Sequence, residues 1–210
     1  MVKQVHARQS KVVFGKVGCK EDLVIQAVGD ASYKCDSPSI GGSLIMLGNR
    51  HSSKVNPLYW KSKQIQNVCH SAKDAETRNI MKLMDTAVYL SQQLSVLLFG
   101  EADHRIPVQI YTDSKPLLDS IASSKQVEKR LLRNTVTDLK KKLEEQFVSQ
   151  YSWIDTKSMT ADVLTKEGGD IENILEVVRE NVFRKANYPQ NVIMFKDGEM
   201  VVENPLVLKK

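Results

Sequence analysis

The 210-residue chain is poor in the groups that staple or anchor a protein. It has three cysteines, Cys19, Cys35 and Cys69, an odd number, widely spaced and without a C-x-x-C pair. That argues against a disulfide framework and a cysteine zinc site, and favours a reducing, intracellular setting. No apolar run approaches the ~20 residues of a membrane-spanning helix; the apolar patches are short, as at 96–99. The opening stretch Met1-Val2-Lys3-Gln4-Val5-His6-Ala7-Arg8 lacks the apolar core of a signal peptide, so the expectation is a protein that is not secreted. With only 10 glycines and 6 prolines there is no Gly/Ser/Pro-rich linker, and no internal repeat or low-complexity tract occurs. At about 150 residues per domain, one domain with flanks is expected.

What is present is ordinary globular composition, 41% hydrophobic and 26% charged, which argues against disorder. The net charge is a mild +5, but it is unevenly spread. Residues 1–20 carry Lys3, Arg8, Lys11, Lys16 and Lys20 and no acid. Residues 125–142 carry Lys125, Lys129, Arg130, Arg133, Lys140, Lys141 and Lys142 against Glu128 and Asp138. Two basic blocks on a near-neutral body suit a polyanion partner; solvated helix faces are the plainer reading of such lysines.

Short apolar runs at 23–29, 40–47 and 55–63, separated by turn residues, read as three consecutive strands in a meander. Helical spacing follows, with Ser71 as N-cap, Ile80, Met84, Ala87, Val88, Ser91, Leu94 and Leu98 along one face, and Gly100 as the stop. Residues 107–112 form a fourth strand, and Ser114 can cap a helix over 115–123. Residues 127–148 read as a long amphipathic helix and 150–154 as a fifth strand, and Thr160 can cap another helix from Ala161. Residues 171–186 suggest one more helix, and 191–207 a hairpin around Lys196-Asp197-Gly198. The order β-β-β-α-β-α-α-β-α implies an α/β protein with a mixed sheet and helices on its faces.

Four acids stand where simple patterning would not put them. Asp30 ends the first strand, Glu76 lies on the apolar side of its helix, Asp113 ends the fourth strand, and Asp162 follows the fifth. Singly, each reads as a turn residue or a first-turn dipole partner. Together, on adjacent strand ends and neighbouring helices, they can converge, and clustered carboxylates repel unless cations neutralise them. Hard oxygen ligands suit Mg²⁺ or Mn²⁺, and two such ions can activate a water and stabilise the leaving oxygen of a phosphodiester.

At these positions the sequence resembles the ribonuclease H domain of copia-type retrotransposons. The resemblance covers roughly residues 23–167. It runs through Val28-Gly29-Asp30-Ala31-Ser32-Tyr33, Gly41-Gly42-Ser43, Tyr59-Trp60-Lys61-Ser62-Lys63-Gln64, Ser71-Ala72-Lys73-Asp74-Ala75-Glu76, Ile110-Tyr111-Thr112-Asp113-Ser114 and Ala161-Asp162-Val163-Leu164-Thr165-Lys166. The resemblance implies a ribonuclease H-like fold, a five-stranded mixed sheet of order 3-2-1-4-5. It implies that Asp30, Glu76, Asp113 and Asp162 are catalytic, metal-binding carboxylates for two Mg²⁺ or Mn²⁺ ions. It implies cleavage of the RNA strand of an RNA–DNA hybrid, leaving 5′-phosphate and 3′-hydroxyl ends. It further implies a reverse transcriptase domain upstream in a polyprotein, and a place in a cytoplasmic virus-like particle or the nucleus. Residues 1–22 form a basic flank and 168–210 an extension of helix plus hairpin. One feature departs from cellular relatives: the stretch before Asp162, Thr156-Lys157-Ser158-Met159-Thr160, has no histidine.

For substrate, Lys61, Lys63, Lys129, Arg130, Arg133, Lys140 and Lys141 are the expected phosphate-binding residues. Ser32, Ser37, Gly41 and Gly42 are candidates for contacts to the RNA 2′-hydroxyl. Trp60 and Trp153 read as sheet-packing residues, and His70 as structural. The alternative to an enzyme is a catalytically inactive or co-opted module that binds nucleic acid or a protein partner. Another nuclease or transposase of the same superfamily is a third reading; those generally use three acids.

Overall fold

A computed structural model describes residues 12–66, 68–101, 105–123, 130–169, 171–184 and 191–203, with the side chains of 130 and 131 left aside. Strand β1 (Leu23–Ser32) pairs antiparallel with β2 (Ile40–Asn49), which pairs antiparallel with β3 (Val55–Gln64). Strand β4 (Val108–Thr112) lies parallel to β1, and β5 (Gln150–Trp153) parallel to β4. The expected order 3-2-1-4-5 is therefore present, but the sheet has seven strands, not five. Strands β6 (Val192–Lys196) and β7 (Glu199–Glu203) continue it antiparallel beyond β5, giving β3-β2-β1-β4-β5-β6-β7. The hairpin turn is the expected Asp197-Gly198, both at positive φ.

Alternation along the strands sorts side chains to two faces. On one face Ile25 and Ala27 of β1, Ile45 of β2, Val108 and Ile110 of β4 and Tyr151 of β5 form the main core. Three helices cover it: α1 (Ala72–Phe99), α2 (Lys115–Ala122) and α3 (Arg130–Glu144). Helix α1 buries Ile80, Leu83, Met84 and Ala87 against the strands. It starts as expected: the Ser71 hydroxyl accepts from Asp74 N–H at 3.1 Å, satisfying one free amide of the first turn. It ends as expected at Gly100, whose φ of 77° is cheap only for glycine.

The other face carries Val28, Leu44, Met46 and Tyr111, and among the described residues no long helix lies over it. Its cover is the irregular chain from Ile154 to Phe183, including Met159, Ala161, Val163, Leu164 and Val177. Two expectations fail here. Thr160 caps no α-helix; only a 3-10 turn forms at Asp162–Leu164, and the Thr160 hydroxyl is buried without a partner. The helix expected over 171–186 is a short α4 (Glu172–Leu175) that widens into a π-helical turn (Glu176–Glu180) and stops at Asn181 in left-handed conformation.

After Asn181 the chain returns as an extended segment, Val182 and Phe183, against residues 53–55 at the start of β3. Val55 N–H donates to Asn181 O, and Phe183 N–H to Ser53 O. Phe183 is thereby buried and meets the Tyr111 ring edge-on, at 5.6 Å and 77°. Truncating it to alanine empties the middle of this second core. Phe183→Ala should cost about 3–5 kcal/mol of stability, read as a lowered urea midpoint with an unchanged slope.

Candidate active site

Asp30, Glu76 and Asp113 converge at one end of the sheet, with one carboxylate oxygen from each within 4.8 Å of the others. Their elements explain why. Strands β1 and β4 are adjacent and parallel, so their C-terminal ends meet, bringing Asp30 and Asp113 together. Helix α1 passes beside the same end, its first turns packed on β1, and Ala31 N–H donates to Glu76 Oε1 at 3.2 Å. Asn79, one turn further along, donates to both Asp30 O and Gly42 O at 2.8 Å, fastening α1 to β1 and β2. A side chain at Gly42 would lie within 2.9 Å of Ala161 O and Leu164 Cβ, so glycine is needed for this close approach.

The three acids differ in what holds them. Asp30 is only 2% exposed, and its Oδ2 accepts from the Thr165 hydroxyl. Asp113 accepts from the Thr156 hydroxyl at 3.1 Å, while Trp153 Nε1 donates to the Asp113 carbonyl at 3.0 Å. Glu76 is buried, and its Oε2 has no hydrogen-bond partner among the described residues. Such an oxygen is costly unless something outside the protein satisfies it.

The electrostatics follow from that burial. Glu76 has its pKa pushed up to about 9, first by burial and then by the charges of Asp30 and Asp113, against the opposing Ala31 hydrogen bond. Asp30 is raised too, first by burial, with the Thr165 hydroxyl and Lys166 pulling it down and Asp113 and Asp162 adding to the rise. Three crowded oxygen donors, two of them reluctant to ionise alone, form a set that a hard divalent cation fits.

Asp162, the fourth expected ligand, is not part of the triad. It lies on the 3-10 turn after β5, close enough for its charge to act on Asp30, but its Oδ1 is ion-paired with Lys166 Nζ four residues on. Sequence reasoning singled out neither Thr165 nor Lys166, though both sit inside the Ala-Asp-Val-Leu-Thr-Lys motif. Spacing was the available signal, since three and four residues past Asp162 returns the chain to the same side of a turn. Asp74, also buried on α1, is occupied by Arg78 Nε at 2.6 Å.

The expected nucleic-acid residues divide. Lys61 and Lys63 are exposed on β3, flanking Ser62, which pairs with Gly42 and through it lies level with Asp30. At ~4.8 Å per strand they stand about 10 Å from Asp30. Lys129 and the Arg130 side chain lie outside the described residues. Arg133 is half-buried on α3, Lys140 donates to Ser123 O at the end of α2, and Lys141 is paired with Glu145 at 3.6 Å.

Other expectations are corrected. Trp60 is 53% exposed on an edge strand, not packed in the sheet, whereas Trp153 does pack against the main core. Gly41 and Gly42 are buried beneath Asn79, Thr165 and Leu164. Ser37 is exposed and Ser32 half-buried.

No family model matches the chain, and no curated protein sequence matches it. Among solved structures it is similar to ribonuclease H1 from the halophilic archaeon Halobacterium salinarum, at 11% identity over 67% of this chain and 93% of that one, with a TM-score of 0.48. It is similar to the N-terminal ribonuclease H domain of a Mycobacterium tuberculosis protein, at 17% identity over 68% and 91%, with a TM-score of 0.49. It is also similar to a foamy viral protease–reverse transcriptase solved with double-stranded DNA, at 15% identity over 69% and 91%, with a TM-score of 0.43. The strand order and directions above, rather than these scores, carry the conclusion: the chain has a ribonuclease H-like fold, extended by a hairpin.

Proposed function

We propose that this protein is a ribonuclease H, a divalent-metal-dependent endonuclease that hydrolyses the RNA strand of RNA–DNA hybrids. The observation that carries the reading is the triad Asp30–Glu76–Asp113 with its unsatisfied, buried Glu76 oxygen. Its donors are all carboxylate oxygens, which suit Mg²⁺ or Mn²⁺. Bound there, such an ion supplies an activated water and neutralises charge on the phosphate and its leaving oxygen. The second ion that the resemblance implies would draw on Asp162.

The chain's own groups orient the donors. Thr165 holds Asp30, the Ala31 amide holds Glu76, and Thr156 with Trp153 holds Asp113. Thr156 belongs to the stretch where cellular relatives carry a histidine, so here that stretch positions a ligand. Lys61 and Lys63, exposed on β3, would take backbone phosphates of the bound hybrid. The motif resemblance supports a setting in reverse transcription of a copia-type retroelement, downstream of a polymerase. That setting would place the protein in a cytoplasmic virus-like particle or in the nucleus.

The test is cleavage of end-labelled substrates. With Mg²⁺ the RNA strand of a hybrid should be cut to 5′-phosphate products, while duplex DNA and duplex RNA stay intact. EDTA should stop the reaction and added Mg²⁺ or Mn²⁺ restore it. Tight hybrid binding without turnover under any metal would instead mark an inactive binding module.

A further inference from the structure

The four acids offer two different places to a cation. Asp30, Glu76 and Asp113 keep an oxygen each within 4.8 Å, and among the described residues no lysine or arginine is ion-paired with any of them. Asp162 is different, because its carboxylate is already engaged by Lys166.

That engagement is built into the local backbone. The chain closes a tight turn in which Thr165 N–H and Lys166 N–H both donate to Asp162 O at 3.0 Å. The turn returns the lysine side chain over the aspartate four residues earlier. The same turn sends the Thr165 hydroxyl to Asp30, so Lys166 is anchored one residue from a direct contact with the triad. Its charge is felt by Asp30, Glu76 and Asp113 as well as by Asp162. An ammonium so placed neutralises part of the cluster, and it occupies the Asp162 oxygen that a second cation would need.

We infer that Lys166 is a built-in rival for the second cation: the triad takes one divalent ion unopposed, and another using Asp162 binds only by displacing the lysine from its ion pair. The inference rests on the reading of the triad as a metal site. Like charges at close range in a partly buried site repel strongly, so the second ion's affinity should be lowered at least about tenfold. The protein would then work chiefly with one ion and a lysine.

The test is Mn²⁺ binding to the whole chain, counted by calorimetry and by loss of the free-ion EPR signal. Three proteins are compared: wild type, Lys166→Met, which keeps the stem and removes the charge, and Lys166→Arg, which keeps the charge. Wild type and K166R should show one ion of higher affinity and a second that binds weakly. K166M should bind the second ion at least about tenfold tighter while the first changes little. Superimposable isotherms for wild type and K166M would overturn the inference, and so would K166R behaving like K166M. Two ions of equal affinity in wild type would overturn it too while leaving the metal reading intact. Absence of Mn²⁺ binding in all three would overturn the metal reading itself, a failure distinct from the others.

Discussion

Under the proposed function, Asp30→Asn should abolish cleavage of an RNA–DNA hybrid, with kcat/KM falling roughly 1,000-fold or more, and should leave the protein folded. The loss follows from position. Asp30 is the least exposed of the three acids and keeps an oxygen within 4.8 Å of the other two, so a cation bound there would depend strongly on its charge. Removing a charged ligand from such a site costs several kcal/mol of transition-state stabilisation, and about 4 kcal/mol is a factor of 10³. The fold should survive because asparagine is isosteric and its oxygen can still accept from Thr165. It should even gain in metal-free buffer, since the substitution removes one of the charges that raise Glu76. A melting curve at or above that of wild type, together with lost cleavage, is the expected pair of results. A variant that cleaves like wild type would remove Asp30 from the site.

The second expectation concerns pH. In the metal-free fold Glu76 keeps its proton up to about pH 9, whereas the unfolded chain releases it near the ordinary value of 4.5. Between those values the unfolded chain holds fewer protons, so this group makes stability fall as pH rises. Its contribution is fullest below 4.5 and is gone once pH has passed about 9. Glu76→Gln copies the neutral form and should flatten that decline, giving a higher melting temperature than wild type at about pH 8 without metal. A bound cation needs the ionised carboxylate, so binding must expel the proton. Mn²⁺ affinity should therefore rise about tenfold per pH unit between roughly pH 6 and 8, with close to one proton released per ion. Calorimetry in buffers of different ionisation enthalpy reads that proton directly. A pH-independent affinity would mean that Glu76 is not a ligand.

Much of the sheet was legible from local pattern. The runs at 23–29, 40–47 and 55–63 announced the meander, and the caps Ser71 and Gly100 bounded α1 as read. Asp30, Glu76 and Asp113 were legible because each sits at a strand end or on an apolar helix face, where a carboxylate needs a reason. What escaped depends on contacts distant in sequence. Nothing local says that β6 will pair with β5 rather than fold away from it. Trp60 looked like a core residue by type, yet β3 is an edge strand and its second half is solvated. The helix expected over 171–186 fails because Asn181 turns left-handed and 182–183 are claimed as extended chain by residues 53–55, while 185–186 lie outside the described residues. Sequence order also cannot reveal that the turn carrying Asp162 supplies it with a lysine.

The cover of the second core face has a consequence for how the molecule comes into being. Thr165, which braces Asp30, lies 135 residues along the chain from it, and Phe183 closes over Tyr111 later still. A nascent polypeptide that has delivered all three triad acids still lacks the segment that shields Val28, Leu44 and Tyr111 from water. Such distant closures are slow, because loop entropy is lost before the contacts repay it. During synthesis the meander therefore waits with one greasy side open, the interval in which a chaperone or an already translated neighbour matters most. The bracing of Asp30 by Thr165 arrives last, when the segment from Ile154 to Phe183 has settled over that side.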